Sequence, residues 1–237
     1  MNSMTRSPAG LTTGAFTNGA VWAGLRPLLL AGVAVPVLYA MGDLLAGVTR
    51  QGYSFRDQTI SELGAIGAPT RMLFSVFVTA AWAALVALAL GVRRAAAGRR
   101  GLYVAGTLLL IVGAMALTVG WLVPMRPRGE GQGLTGLLHL VEGGAAMILI
   151  LGAMVLSAGG LGRRFRVYTI ATIVVILVFG AWSGMQAPQV EAGVATPWLG
   201  VVERIFWYSY HVWFAALGVH LLRDRQAAIQ RGPVEPA

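Results

Sequence analysis

Six apolar runs of about twenty residues, separated by short connections rich in Arg, Gly and Pro, leave this chain little choice of fold. A helix rises about 1.5 Å per residue, so about twenty residues cross the roughly 30 Å hydrocarbon core of a bilayer. The runs cover approximately Leu28–Val48, Met72–Val92, Leu102–Val123, Leu134–Leu156, Val167–Met185 and Val201–Leu222. They predict an all-α, polytopic membrane protein: a six-transmembrane-helix bundle forming one membrane domain over residues 1–237. Residues 1–25 and 223–237 read as flexible tails, with Phe16 and Trp22 resting at the membrane interface. The first run is of full spanning length, unlike the short core of a cleavable signal peptide.

Composition agrees with this reading. Charged residues make up 11% of the chain, against about a quarter in soluble domains. The net charge of +9 suggests a nucleic-acid partner only until the basic residues are placed. They flank apolar runs and form no basic face with interleaved aromatics, which argues against nucleic acid. All 18 are arginine, as in the codon usage of a GC-rich genome. With no cysteine, thiol chemistry, disulfides and Cys-ligated metals are excluded.

Arginine placement sets an orientation. Arg6, Arg26, Arg93, Arg94, Arg99, Arg100, Arg163, Arg164, Arg166, Arg223, Arg225 and Arg231 fall on one side of the alternating runs. Arg50, Arg56, Arg71, Arg126, Arg128 and Arg204 fall on the other. The positive-inside rule puts the twelve, and with them both termini, in the cytoplasm. Asp57, Glu62, Glu130, Glu191 and Glu203 then lie at the outer side. The expected location is a plasma membrane, with membrane lipids as neighbours.

The first outer connection reads SFRDQTISELGAIGAPTR, residues 54–71. Ser54 precedes Asp57 by three and Thr59 precedes Glu62 by three, the second a full capping-box pattern. Ile60, Leu63 and Ile66 recur every third residue, enough for a short helix with one greasy side, ended by Gly64, Gly67 and Pro69. Two readings fit. In one, the polar groups cap an interfacial helix; in the other, Asp57, Ser61 and Glu62 sit on a lid over a pocket.

Ionisable groups within the spans carry the functional signal, because each costs at least about 2.5–3.5 kcal/mol at mid-bilayer. Asp43 lies in the outer half of the first run, and His139 and Glu142 share one face of the fourth at i, i+3. Glu203 and Arg204 open the sixth, and His211 follows Glu203 by eight with Trp207 between them. Their common depth predicts an outward-facing cavity. Each group also has a structural reading: a headgroup-level charge, an ion pair such as Asp43 with Arg126, or a histidine bonding across helices. His139, His211 and Glu142 could hold Zn²⁺ with water in the open position, although no HExxH or similar spacing is present. They equally suit acid–base work without metal. Ser61 as nucleophile would require a histidine nearby.

TISELGAIGAP after the first span, LHLVEG opening the fourth and GVVERIFW opening the sixth together resemble a bacterial family, domain of unknown function 998. The resemblance covers about residues 28–222, with Ser61, Glu62, Leu63 and Gly64 on the loop motif and His139 on the histidine of the fourth span. It implies hypothetical six-span proteins of the bacterial inner membrane. The family pattern at the end of span three implies apolar-Pro-x-Asp, whereas this chain has Val123, Pro124, Met125, Arg126. Two functions remain open. One is an intramembrane hydrolase, transferase or cyclase acting on a lipid or isoprenoid through His139, Glu142, His211, Glu203, Asp43, Asp57, Ser61 and Glu62. The other is a non-catalytic partner subunit, sensor or small transport component. Neither requires a cofactor.

Overall fold

A computed structural model describes residues 9–131 and 133–231, and no strand occurs among them. The helices are α1 (Ala9–Thr49), α2 (Arg71–Ala95), α3 (Arg100–Leu122), α4 (Gly133–Gly160), α5 (Gly162–Met185), the five-residue α6 (Ala187–Glu191) and α7 (Leu199–Arg231). Five stretches are long and apolar enough to cross a membrane: Ala23–Thr49, Arg71–Ala95, Arg100–Leu122, Gly133–Gly160 and Gly162–Glu191. The chain is therefore a multi-pass membrane protein. α7, with 33 residues, is longer than all five, but its charged groups lower its mean hydropathy.

Two helices outrun the expected spans. α1 starts at Ala9, where a loose tail was expected, and its 41 residues measure about 60 Å at helical rise. Its N-terminal part therefore projects well past one hydrocarbon thickness; the side chains of Phe16 and Trp22 lie outside the described residues. α7 likewise continues to Arg231, nine residues beyond the expected end at Leu222. Pro27 and Pro36 both fall inside α1, a position that lipid-embedded helices tolerate when neighbours satisfy the freed carbonyls.

The long helices form a closed ring. α1 packs on α2 and α7, α2 on α3, α3 on α4, α4 on α5, and α5 on α7, while α2 also reaches across to α7. α4 makes no extensive contact with α7. Trp213, Tyr210 and Phe214 of α7 fill the centre with Leu29, Leu85, Leu109 and Ile150. Large apolar side chains also cover the outside, with Leu122 77% exposed and Ile148 72% exposed. Only acyl chains suit so much exposed apolar surface.

Glycine permits the tightest approach in the ring. A Cβ on Gly218 of α7 would strike the Leu29 carbonyl of α1, and one on Gly32 of α1 would meet the Phe214 carbonyl of α7 at 2.8 Å. Without a hydrophobic effect between lipid-solvated helices, such backbone contact is a principal source of association. A buried hydrogen bond, Trp213 Nε1 to Thr169 Oγ1 at 3.0 Å, ties α7 to α5. At the arginine-rich end, arginines terminate helices: Arg99 donates to the Ala95 and Ala96 carbonyls of α2, and Arg166 to Ala158 of α4. C-terminal carbonyls are thereby met by cations that also suit the helix dipole, and the Ala96 carbonyl accepts from the Arg99 backbone N–H as well.

Candidate functional site

The three connections at the opposite end of the bundle hold one another. Ile66 N–H donates to the Met125 carbonyl at 2.9 Å, Gly129 N–H to Val190 at 3.1 Å, and Val201 N–H to Arg56 at 3.2 Å. The polar stretch after α1 forms the floor of this assembly. Its Ser61–Gly64 segment is a 3₁₀ turn, the geometry that suits an apolar repeat of three. Ile60 and Leu63 are fully buried beneath it, while Ile66 is exposed. The capping pattern is realised in both directions: Glu62 N–H donates to Thr59 Oγ1 at 3.3 Å, and Thr59 N–H to Glu62 Oε1 at 3.4 Å.

Arg204 is the hub. Its Nε and Nη2 donate to the two oxygens of Asp43 at 3.0 and 2.7 Å, and its Nη1 reaches the carbonyls of Phe55 at 2.7 Å and Gly200 at 3.0 Å. Tyr208 adds a 2.6 Å bond to Asp43, and Tyr53, whose phenol burial holds well above its ordinary titration range, accepts from Arg204 at 2.8 Å. Asp43 thus pairs with Arg204, not with Arg126 as suggested above. Nothing of Asp43 is left over for the cavity.

A second clip centres on Glu62, 2% exposed, which meets Arg128 Nη2 at 2.6 Å and Gln58 Nε2 at 2.7 Å. Arg128 extends the link to Thr196 and the Val194 carbonyl. Asp57 is the surface member, bonded by Arg56 at 2.8 Å and by Trp198 N–H at 3.1 Å. Those two donors, Arg56 first, hold its carboxyl down at about 2. Asp57 and Glu62 therefore act as struts between loops and do not face a pocket.

Beneath the turn lie three adjoining cavities, all lined by Ser61 and His139. The largest, about 490 Å³, fills the gap between α4 and α7 and also contains Glu142, Glu203, Trp82 and Trp207. A second, about 150 Å³, lies toward α2 and α3 with Glu142, Arg71 and Trp121 on its wall. A third, about 150 Å³, reaches Glu203, Arg126 and Glu191. Four expected residues are thus brought together: Ser61, His139, Glu142 and Glu203. Glu203 accepts a short hydrogen bond from the Ile60 N–H, which anchors the turn above the cavity.

His139 is held in a defined tautomer. Its Nδ1 lies 2.9 Å from the Val123 carbonyl, which can only accept, so the neutral ring carries its proton on Nδ1. Nε2 then keeps its lone pair and, among the described residues, has no partner. The Ser61 hydroxyl and the Glu142 carboxyl likewise make no hydrogen bond among the described residues. The cavity therefore contains a base, a hydroxyl and an acid, each uncommitted.

His211 does not join them, which corrects the expected cluster. Its Nδ1 bonds the Trp207 carbonyl one turn back at 2.8 Å, and its ring is fully buried among Tyr39 at 4.2 Å, Tyr210 at 4.6 Å and Trp82 at 5.7 Å. The eight-residue spacing put it on the face of Glu203, but the aromatic layer stands between. The His139–His211–Glu142 metal set is accordingly not assembled. Among the described residues no three His, Cys, Asp or Glu side chains converge on a metal position. Sequence reasoning missed Arg71 and Trp82 as cavity residues. Arg71 entered only as an orientation charge, and nothing in a mid-span tryptophan distinguishes wall from core.

Residues 33–220 match a family described as "Protein of unknown function (DUF998)". The chain belongs to that family. The match begins at Val33 within α1, ends at His220 within α7, and takes in α2 to α5 and every lining residue of the DUF998 cavities. No curated protein and no solved structure matches this DUF998 chain significantly.

Proposed function

We propose that this protein is a six-span enzyme of the bacterial inner membrane, with both termini in the cytoplasm, that hydrolyses an ester of a lipid or isoprenoid drawn from the outer leaflet. α7 counts as the sixth span on this reading, because it closes the ring between α1 and α5. Eleven of the seventeen arginines among the described residues lie at the other end from the cavity, supporting the orientation.

One observation carries the reading: His139 presents an unpartnered Nε2 to a cavity that also holds the Ser61 hydroxyl and Glu142. Lipid-embedded ionisable groups without a structural partner are costly to keep. In the proposed step, Nε2 takes the proton of the Ser61 hydroxyl, or of a water, as that oxygen attacks the ester centre. The imidazolium then returns the proton to the departing alcohol, with Glu142 balancing its charge; where Ser61 is the nucleophile, a water deprotonated by the same Nε2 then cleaves the serine ester and the proton returns to Ser61 Oγ. The Val123 carbonyl keeps the ring in the required tautomer throughout.

The test is reconstitution into vesicles of native lipid extract, with products followed by mass spectrometry. Wild type should generate a lyso-lipid, free headgroup or free alcohol. His139→Ala and Glu142→Gln should not, while remaining equally abundant and folded. Identical product profiles for wild type, His139→Ala and empty vesicles would rule the enzyme out in favour of a non-catalytic membrane module.

A further inference from the structure

Six arginines belong to the end of the bundle where the three connections meet, and five of them are engaged. Arg50 donates to the Glu62 carbonyl, Arg56 pairs with Asp57, Arg126 with Glu130, Arg128 with Glu62, and Arg204 with Asp43. Arg71 is different. Among the described residues its guanidinium meets no carboxylate and donates no hydrogen bond, although its backbone N–H bonds the Ala68 carbonyl. It stands at the first residue of α2 and lines the cavity shared by Ser61, His139 and Glu142.

The ionisable groups of this space are ordered by depth. Arg71 lines only the cavity toward α2 and α3, whereas His139 and Glu142 also face the larger apolar space between α4 and α7. Trp121 lines the same cavity as Arg71, 39% exposed, with its indole N–H fixed to Thr79 Oγ1 at 3.1 Å. Tryptophan in this setting marks headgroup level. A free guanidinium offers five donors in a planar fork that matches phosphate in two-pronged fashion.

We infer that Arg71 is the headgroup clamp of the site and that the ligand is a phosphate ester on an alkyl or isoprenyl chain. The phosphate sits on Arg71, the chain occupies the apolar space between α4 and α7, and the bond joining them passes His139. This rests on the lipid-enzyme reading for its reaction but not for its binding. Glu142 would repel a phosphate placed deeper, which leaves the Arg71 end as the position for the anion.

Binding is read from fluorescence of Trp82, Trp121 and Trp207 in the purified protein in dodecyl maltoside, with dodecyl phosphate, dodecanol and inorganic phosphate as probes. Dodecyl phosphate should bind saturably, and inorganic phosphate should not bind in the same range. Arg71→Gln should weaken dodecyl phosphate at least about tenfold, the loss expected for one charged hydrogen-bonding partner, without changing dodecanol. Arg71→Lys should fall between, and unchanged thermal melting should show that both variants fold. Dioctanoyl phosphatidic acid and geranyl phosphate as competitors distinguish a glycerolipid from an isoprenoid source, and displacement by either supports the clamp. Equal affinity of wild type and Arg71→Gln for dodecyl phosphate, or displacement by neither competitor, would overturn it. Arg71-dependent binding by a wild type that shows no turnover would sink the enzyme and leave the clamp, whereas turnover with binding indifferent to Arg71→Gln would sink the clamp and leave the enzyme.

Discussion

Arg204, in the first turns of α7, grips Asp43, in the last turns of α1, through two parallel hydrogen bonds of 3.0 and 2.7 Å, with the carboxylate 1% exposed. The pair joins the first and last long helices and also carries the α1–α2 connection on the same guanidinium. Because the remaining lone pairs and donors are occupied by Tyr208, Tyr53 and backbone carbonyls, the desolvation cost of both charges is offset.

Removing one partner leaves the other charge buried alone. Asp43→Ala or Arg204→Ala should therefore cost about 3–5 kcal/mol, the range for broken buried pairs. Arg204→Lys should recover little, since an ammonium cannot span two oxygens and the carbonyls together. Thermal melting in detergent reads this; melting points of both alanine variants within a degree of wild type would contradict the hub.

Close approach of the loop to α7 makes a second prediction. A Cβ on Gly200 would collide with the carbonyls of Phe55 and Gln58. Gly200→Ala should push the loop off α7, destabilise the fold by about 1–3 kcal/mol and speed amide exchange at Ile60, whose N–H is held by Glu203. Unaltered exchange at Ile60 would count against the loop's docking.

The Asp57 strut has a defined pH response. Its folded value of about 2 lies below the ordinary 3.8, so its contribution is complete above the ordinary value and is lost as pH falls through about 2. Protease resistance of the connections around Asp57 should drop between pH 4 and pH 2 in wild type. Asp57→Asn should be less resistant at neutral pH and lack that step. An identical acid profile in the two proteins would remove Asp57 from the lock.

Sidedness is open to labelling, because the chain has no cysteine of its own. A cysteine at Ala97, in the α2–α3 connection, should react only from the cytoplasmic side. A cysteine at Ser61 should react only from the outside. Labelling of both from one side would invert or abolish the proposed threading.

The spans were legible because twenty-residue apolar windows exceed anything a small soluble core needs. α7 announced itself less clearly, since Glu203, Arg204 and His211 dilute it, and helix overrun to Ala9 and Arg231 was missed because apolar run length was read ahead of the flanking Ser7-Pro8 and Gly232-Pro233 signals. The His139–Glu142 face followed from i, i+3 spacing, and the Thr59–Glu62 box from its pattern. The partners of Asp43 and Glu62 did not follow, because ion pairs between residues 161 and 66 positions apart leave no trace in one sequence. For the same reason Arg71 became visible only once its five neighbours were seen to be occupied.

The measurement that bears most directly on the proposed chemistry is comparative lipidomics of three otherwise identical strains: deletion, deletion restored with wild type, and deletion restored with His139→Ala at matched membrane abundance. The account predicts that one phosphate-bearing lipid or isoprenoid pool accumulates in the deletion and in the His139→Ala strain and returns to normal with wild type. Restoration by His139→Ala as full as by wild type, or lipid pools identical in all three strains, would contradict it.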